Sequence, residues 1–192
     1  MFKLVFHNKG YVFFDNNKAF NLNIVGVRSK FREANKFDDT LFVIYRDLGL
    51  RWCIRAYPIT TDAGTYWLKT PPRESGTALL REGQYRGAYE LGLHQGKSKA
   101  LVQRKKVKVY RDNNKDNILD YNEATIEEGF FGINIHRSNP TTSSIQVDKW
   151  SAGCQVFANV NDFKDFLALC GEGEKKFGNS FTYTLINTND LL

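Results

Sequence analysis

Seven short stretches alternate apolar and polar residues with period two and are rich in β-branched and aromatic side chains: Asn23 to Val27, Thr40 to Tyr45, Arg51 to Tyr57, Thr65 to Lys69, Val107 to Tyr110, Gly132 to His136 and Phe181 to Ile186. Each such stretch turns one face to a core and one to solvent. Turn-rich pieces such as Thr70-Pro71-Pro72 and Arg73-Glu74-Ser75-Gly76 separate them, with no internal repeat and no low-complexity linker. The chain is therefore expected to be mainly β, a sandwich or barrel-like sheet with one or two short helices. One helix has a clear signature: Val160, Phe163, Phe166, Leu167 and Cys170 share a face, Asn159 can cap the start, and Gly171 marks the stop.

A length of 192 residues suits one domain, residues 1–192, that buries a single core without help from disulfides or a structural metal. Its 42% hydrophobic, 14% aromatic and 25% charged residues exclude a disordered or fibrous chain. The formal charge of +6 is spread along the sequence. The one dense run, Arg104 to Lys108, alternates into Val107 and Val109 and reads as a solvated strand face, so no nucleic-acid partner is expected. No stretch is long enough to span a bilayer. The segment Met1 to Phe14 is interrupted by His7, Asn8, Lys9 and Gly10 and lacks the apolar run of a secretion signal. Synthesis in the cytoplasm is the expectation.

Cys53, Cys154 and Cys170 cannot all pair, and no Cys-x-x-Cys or Cys/His metal spacing occurs. Cys170 lies on the apolar helix face and Cys53 within a strand, so both read as small core residues. Cys154 differs. It follows Ser151, Ala152 and Gly153, small residues that let the backbone turn tightly and bring N–H groups close to a bound carbonyl. A thiol needs a nearby base to act as a nucleophile at neutral pH. Of the three histidines, His7 has no motif around it and His94 sits in the turn-like Gly92-Leu93-His94-Gln95-Gly96. His136 ends a strand whose one face is Phe131, Ile133 and Ile135 and whose other is Gly132, Asn134 and His136, before the break at Arg137-Ser138-Asn139-Pro140. Spacing alone leaves open a catalytic pair and a structural thiol.

The run Gly132-Ile133-Asn134-Ile135-His136, followed by Ser151-Ala152-Gly153-Cys154, resembles the catalytic signature of the L,D-transpeptidase catalytic-domain family. In that signature a strand-end His precedes a Ser/Thr-His-Gly-Cys turn. Upstream, Thr61-Asp62-Ala63-Gly64-Thr65-Tyr66 resembles the family's Thr-Pro-x-Gly-x-Phe/Tyr element. The resemblance covers about residues 50 to 170. The chain departs from it at Ala152, where the family has a second His, at Val156, where an Arg is common, and at Asp62, which replaces a Pro. It looks like a divergent, phage-type member. The resemblance implies an L,D-transpeptidase-like fold and a site made of Cys154, His136, Gly153 and Ser151. Cys154 attacks an amide of a bacterial peptidoglycan stem peptide, His136 takes the thiol proton, and the Gly153 and Cys154 N–H groups hold the oxyanion. Hydrolysis and transpeptidation both remain open, with hydrolysis by an enzyme released on host lysis or carried on a particle as the preferred form. The competing reading is a non-catalytic wall-binding or virion structural domain. A papain-like protease is disfavoured because the cysteine follows the histidine.

Residues 112–123 match a twelve-residue calcium loop, with Asp112, Asn114, Asp116 and Asp120 at its first, third, fifth and ninth positions, Ile118 offering its carbonyl and Glu123 last. Asn117 stands where Gly is usual and is expected to take the left-handed conformation. A structural Ca2+ is expected there, steadying the strand that carries His136. An Asx-rich turn without metal is the alternative.

Overall fold

The computed structural model describes residues 1–192. In chain order the elements are α1 (Phe2–Asn8), β1 (Asn23–Arg28), β2 (Asp39–Arg46), β3 (Trp52–Thr60), α2 (Thr65–Lys69), β4 (Thr77–Leu80), β5 (Gly83–His94), β6 (Ser98–Gln103), β7 (Val107–Asp112), β8 (Glu127–Gly129), β9 (Ile135–Arg137), β10 (Gln155–Phe157), α3 (Val160–Phe177) and β11 (Phe181–Asn187). Eight strands close into a barrel in the order β1-β11-β5-β6-β9-β10-β3-β2, and β4-β7-β8 form a separate three-stranded sheet. The chain is a mainly β single domain, 37% strand and 19% helix. Closure leaves no unpaired sheet edge in the barrel.

The main core lies between the barrel wall and α3: Ile24, Leu41, Ile59, Leu101, Ile135 and Phe157 meet Phe163, Phe166 and Cys170. β1 is buried along its whole length because its second face, Val25 and Val27, is covered by Phe2, Val5 and Phe6 of α1. A third cluster, with Ala63, Leu68, Leu79, Tyr110 and Leu119, joins α2 to the small sheet. No helix is long and apolar enough to cross a membrane.

Most of the alternating segments are strands, with two differences, and one helix is longer than expected. Thr65 to Lys69 is a helical turn, not a strand: it buries one residue, Leu68, and is fixed from outside by the Trp67 indole donating to the Lys149 carbonyl at 3.1 Å. Gly132 to His136 is strand only from Ile135, because Gly132 has φ +69° and bends the chain before it. α3 does not stop at Gly171 but runs to Phe177 and is capped at Gly178, φ +82°. Of the two glycines inside it, Gly173 serves packing, whereas Gly171 has open space beside it. A Cβ on Gly173 would stand 3.3 Å from the Phe20 carbonyl oxygen. Strands β4, β5, β6, β8 and β10 carried no clean alternation. In β5, Gly83, Gly87 and Gly92 and half-exposed positions blur the period, and β4 and β10 are buried on both faces. In the basic run, Arg104 to Lys106 and Lys108 are exposed while Val107 and Val109 are buried, as the alternation requires.

Candidate active site

β9 and β10 lie side by side and parallel, with His136 opposite Val156 and Ile135 opposite Gln155. Asn134 and Cys154 therefore precede their strands at the same end of the barrel, and the Gln155 N–H donates to the Asn134 carbonyl at 2.9 Å. Cys154 Sγ and one ring nitrogen each of His136 and His94 all lie within 4.8 Å of one another. They stand at a cleft of about 470 Å³, whose walls include Trp67, Arg73, Ala78, Arg111, Lys149 and Trp150.

The turn that presents Cys154 is held sterically and by hydrogen bonds. Gly153 has φ +113°, and a Cβ there would meet the Ala78 carbonyl oxygen at 1.7 Å, so only glycine fits. Ser151 is fully buried. Its Oγ donates to the Cys154 carbonyl at 2.8 Å and accepts the Gly153 N–H at 3.1 Å. Ser151 is thus a brace for the turn, and the Gly153 N–H is already engaged. Of the two N–H groups expected to hold an oxyanion, only that of Cys154 stays available. The Cys154 thiol donates to the Gly132 carbonyl at 3.3 Å, and the Asn134 N–H points at the sulfur from 3.5 Å.

The two segments that carry the sequence signatures are in contact. Ala63 bridges Ala152, and the Gly64 N–H donates to the Ser151 carbonyl at 2.9 Å. Gly64 is required because a Cβ would sit 2.0 Å from the Asp148 carbonyl oxygen. Asp62 forms a buried pair with Arg28, whose Nε is 3.1 Å from Asp62 Oδ1, and accepts the Tyr121 hydroxyl at 2.9 Å. Arg28 also bonds the Thr61 carbonyl and hydroxyl, and Gln155 reaches that carbonyl at 3.4 Å, so a polar network braces the Cys154 turn from behind. Val156 is fully buried in β10.

His136 is buried, and its Nδ1 meets the Arg137 carbonyl at 2.8 Å. A carbonyl only accepts, so the proton is on Nδ1 and the Nε2 lone pair is free. Burial first, then the neighbouring His94, push the His136 pKa down to about 4. Burial pushes the Cys154 thiol up to about 11, against the opposing pull of the Asn134 N–H. The resting pair at neutral pH is thiol and neutral imidazole, not thiolate and imidazolium.

His94 is the residue that the sequence pattern passed over. It ends β5, and the three-residue loop Gln95-Gly96-Lys97 turns the chain into β6, with φ of +51° and +69° at Gln95 and Gly96. That dipeptide was the available signal. The His94 ring stacks on His136 with centroids 4.0 Å apart and planes 20° apart. Its Nδ1 meets Asn134 Nδ2 at 3.0 Å. The Gln103 N–H donates to Asn134 Oδ1 at 2.9 Å, which fixes the amide orientation and makes His94 Nδ1 an acceptor. His94 then carries its proton on Nε2. Burial lowers its pKa, keeping the ring neutral.

The acidic loop lies elsewhere. Asp112 ends β7, and Asp112 Oδ2 accepts the Asp120 N–H at 3.0 Å. Asn114 Nδ2 donates to Asp116 at 3.0 Å and to Asp120 at 2.7 Å. Ile118 bridges Glu33, and the Leu119 N–H donates to the Arg32 carbonyl. Two features differ from the twelve-residue pattern. The left-handed residue is Lys115, φ +62°, and not Asn117. Glu123 turns away to Arg81, at 3.1 Å, and to the Tyr110 hydroxyl, at 3.1 Å. The loop joins β7 to β8 of the small sheet. No known family model, curated protein or solved structure matches the chain.

Proposed function

We propose that the chain is a cysteine-dependent acyl-transfer enzyme that cleaves or exchanges peptide bonds in peptidoglycan stem peptides. The observation that carries this reading is the placement of Cys154 Sγ within 4.8 Å of a ring nitrogen of His136, at the cleft, with the Nε2 lone pair of His136 free. Cys154 Sγ attacks the carbonyl carbon while its proton passes to His136 Nε2. Collapse of the tetrahedral adduct breaks the C–N bond, and the departing amine takes that proton, leaving a thioester on Cys154. Water or a second amine then attacks the thioester, and the thiol regains a proton. The Cys154 N–H and the His94 Nε2–H stabilise the oxyanion, His94 taking the part for which the Gly153 N–H is spoken for. A neutral imidazole is the suitable donor because it needs no change of charge.

The substrate class rests on the sequence resemblance and on the cleft. Arg73 and Lys149 line it without an ion pair, beside Trp67 and Trp150, a setting suited to peptides that carry free carboxylates. The non-catalytic alternative draws on one observation, the thiol held near 11, which keeps Cys154 protonated at rest. Purified peptidoglycan incubated with wild type and with Cys154→Ala separates the two. Wild type is expected to release trimmed or exchanged stem peptides, identified by mass, that the variant does not. Identical product profiles would remove the enzyme reading.

A further inference from the structure

Asp112 is 1% exposed, and its carboxylate faces the β7 loop through the bond from the Asp120 N–H, yet Asp112 Oδ1 is buried with no hydrogen-bond partner. No other carboxylate oxygen in the molecule is left in that condition. A buried charged oxygen without a donor is far more destabilising than a neutral one, so it calls for a positive partner. The protein does not supply one. In a chain with 27 Lys plus Arg against 21 Asp plus Glu, none of Asp112, Asp116 and Asp120 forms an ion pair, and only the Asn114 amide stands between the latter two. Glu123, in contrast, pairs with Arg81 and lies within reach of the Tyr110 hydroxyl.

We propose that this loop binds one Ca2+ through Asp112 Oδ1, the carboxylates of Asp116 and Asp120, the Asn114 side-chain oxygen and the Ile118 carbonyl, without Glu123. All these donors are hard oxygens, and a mobile set of carboxylates with water completing the shell suits Ca2+ better than the strict octahedron of Mg2+. The consequence reaches the cleft. Arg111, next to Asp112, lines it, and the Arg111 guanidinium holds the Gly76 carbonyl at 3.1 Å and Glu127 at 2.8 Å. Gly76 in turn packs on the Asp112 carbonyl, where a Cβ would stand at 2.2 Å. The ion therefore stiffens the cleft wall formed by Gly76 and Arg111, and this inference does not depend on the chemistry at Cys154.

The test uses the full chain, stripped with chelator and dialysed, and titrated with Ca2+ alone by calorimetry, with Tb3+ luminescence as a second readout. One equivalent is expected to bind with Kd on the order of 0.1–1 mM, the range of sites lacking a full set of charged ligands. The melting temperature should rise by about 3 °C at a tenfold excess over Kd. Asp116→Asn and Asp120→Asn, which alter accessible side chains and leave the fold intact by circular dichroism, should weaken binding at least tenfold. Glu123→Gln should bind within about twofold of wild type. The absence of both heat and melting shift in wild type at ~10 mM Ca2+ would overturn the proposal. So would loss of binding in Glu123→Gln equal to that in Asp116→Asn, or Mg2+ binding as tightly as Ca2+.

Discussion

The Ser151–Cys154 turn and the Asp112–Asp120 loop are both short polar connections at a strand end, and they are built in opposite ways. In the first, the braces are internal: Ser151 bonds both neighbours in the turn, Gly153 is pinned against Ala78, and the thiol has partners on two sides. In the second, carboxylates face one another with an amide between them, and one buried oxygen has no partner at all. A turn that must present one atom in one place is specified by sterics and satisfied hydrogen bonds, which act without any ligand. A loop that leaves polar capacity open is specified only in part, and a partner from outside completes it.

The sharpest way to break this contrast is Gly153→Ala. A methyl group 1.7 Å from a backbone oxygen, on a residue at φ +113°, is expected to destabilise the fold by on the order of 3 kcal/mol or more and to abolish activity, as read by urea denaturation and peptidoglycan digestion. Mild loss would mean that the turn is softer than its contacts imply. Next comes His94. His94→Ala should lower kcat about a hundredfold with little change in KM, and His94→Gln, which keeps a donor but cannot titrate, should recover part of the loss. Equal activity in wild type and His94→Ala would leave Cys154 and His136 as the working pair but remove His94 from it.

The smallest effect is in pH dependence. With His136 at about 4 and Cys154 at about 11, kcat/KM should be flat through neutrality and fall only as His136 gains its proton towards pH 4. The same group makes a stability prediction. The folded pKa of His136 is lower than its ordinary 6.5, so the unfolded chain binds the extra proton first. Its contribution is present above about 6.5 and is lost as pH falls towards 4. Melting curves should therefore show a smaller acid decline in His136→Gln than in wild type. An identical decline would place the burial penalty elsewhere.

How far the sequence disclosed this arrangement depended on whether a signal was local. The segments at Thr40 to Tyr45 and Phe181 to Ile186 lie in strands because each packs on the main core in a regular alternation. Thr65 to Lys69 has the same β-type composition, yet contacts from Lys149 and Gly64 override it. Cys154 and His136 were readable as a pair only through the resemblance, since the parallel register of β9 and β10 joins residues separated by a long loop. His94 was not readable as a partner, because its value lies in two hydrogen bonds through Asn134 that link three separate segments. The acidic loop shows the converse. Its ligand pattern was visible as text, while the capture of Glu123 by Arg81 was a matter of the surrounding sheet.

The parallel register of β9 and β10 has a mechanical consequence. A strand that shifts in a closed barrel carries its hydrogen-bonded neighbour with it, so the gap between His136 and Cys154 is set by the ladder that joins β9 to β10. Arg111 belongs to β7 of the separate sheet, whereas His94 is tied to this pair through Asn134 and by its stacking on His136. Cys154, His136 and His94 are thus tied into one unit by the ladder, the Asn134 amide and ring stacking, while the cleft wall that carries Arg111 comes from another sheet.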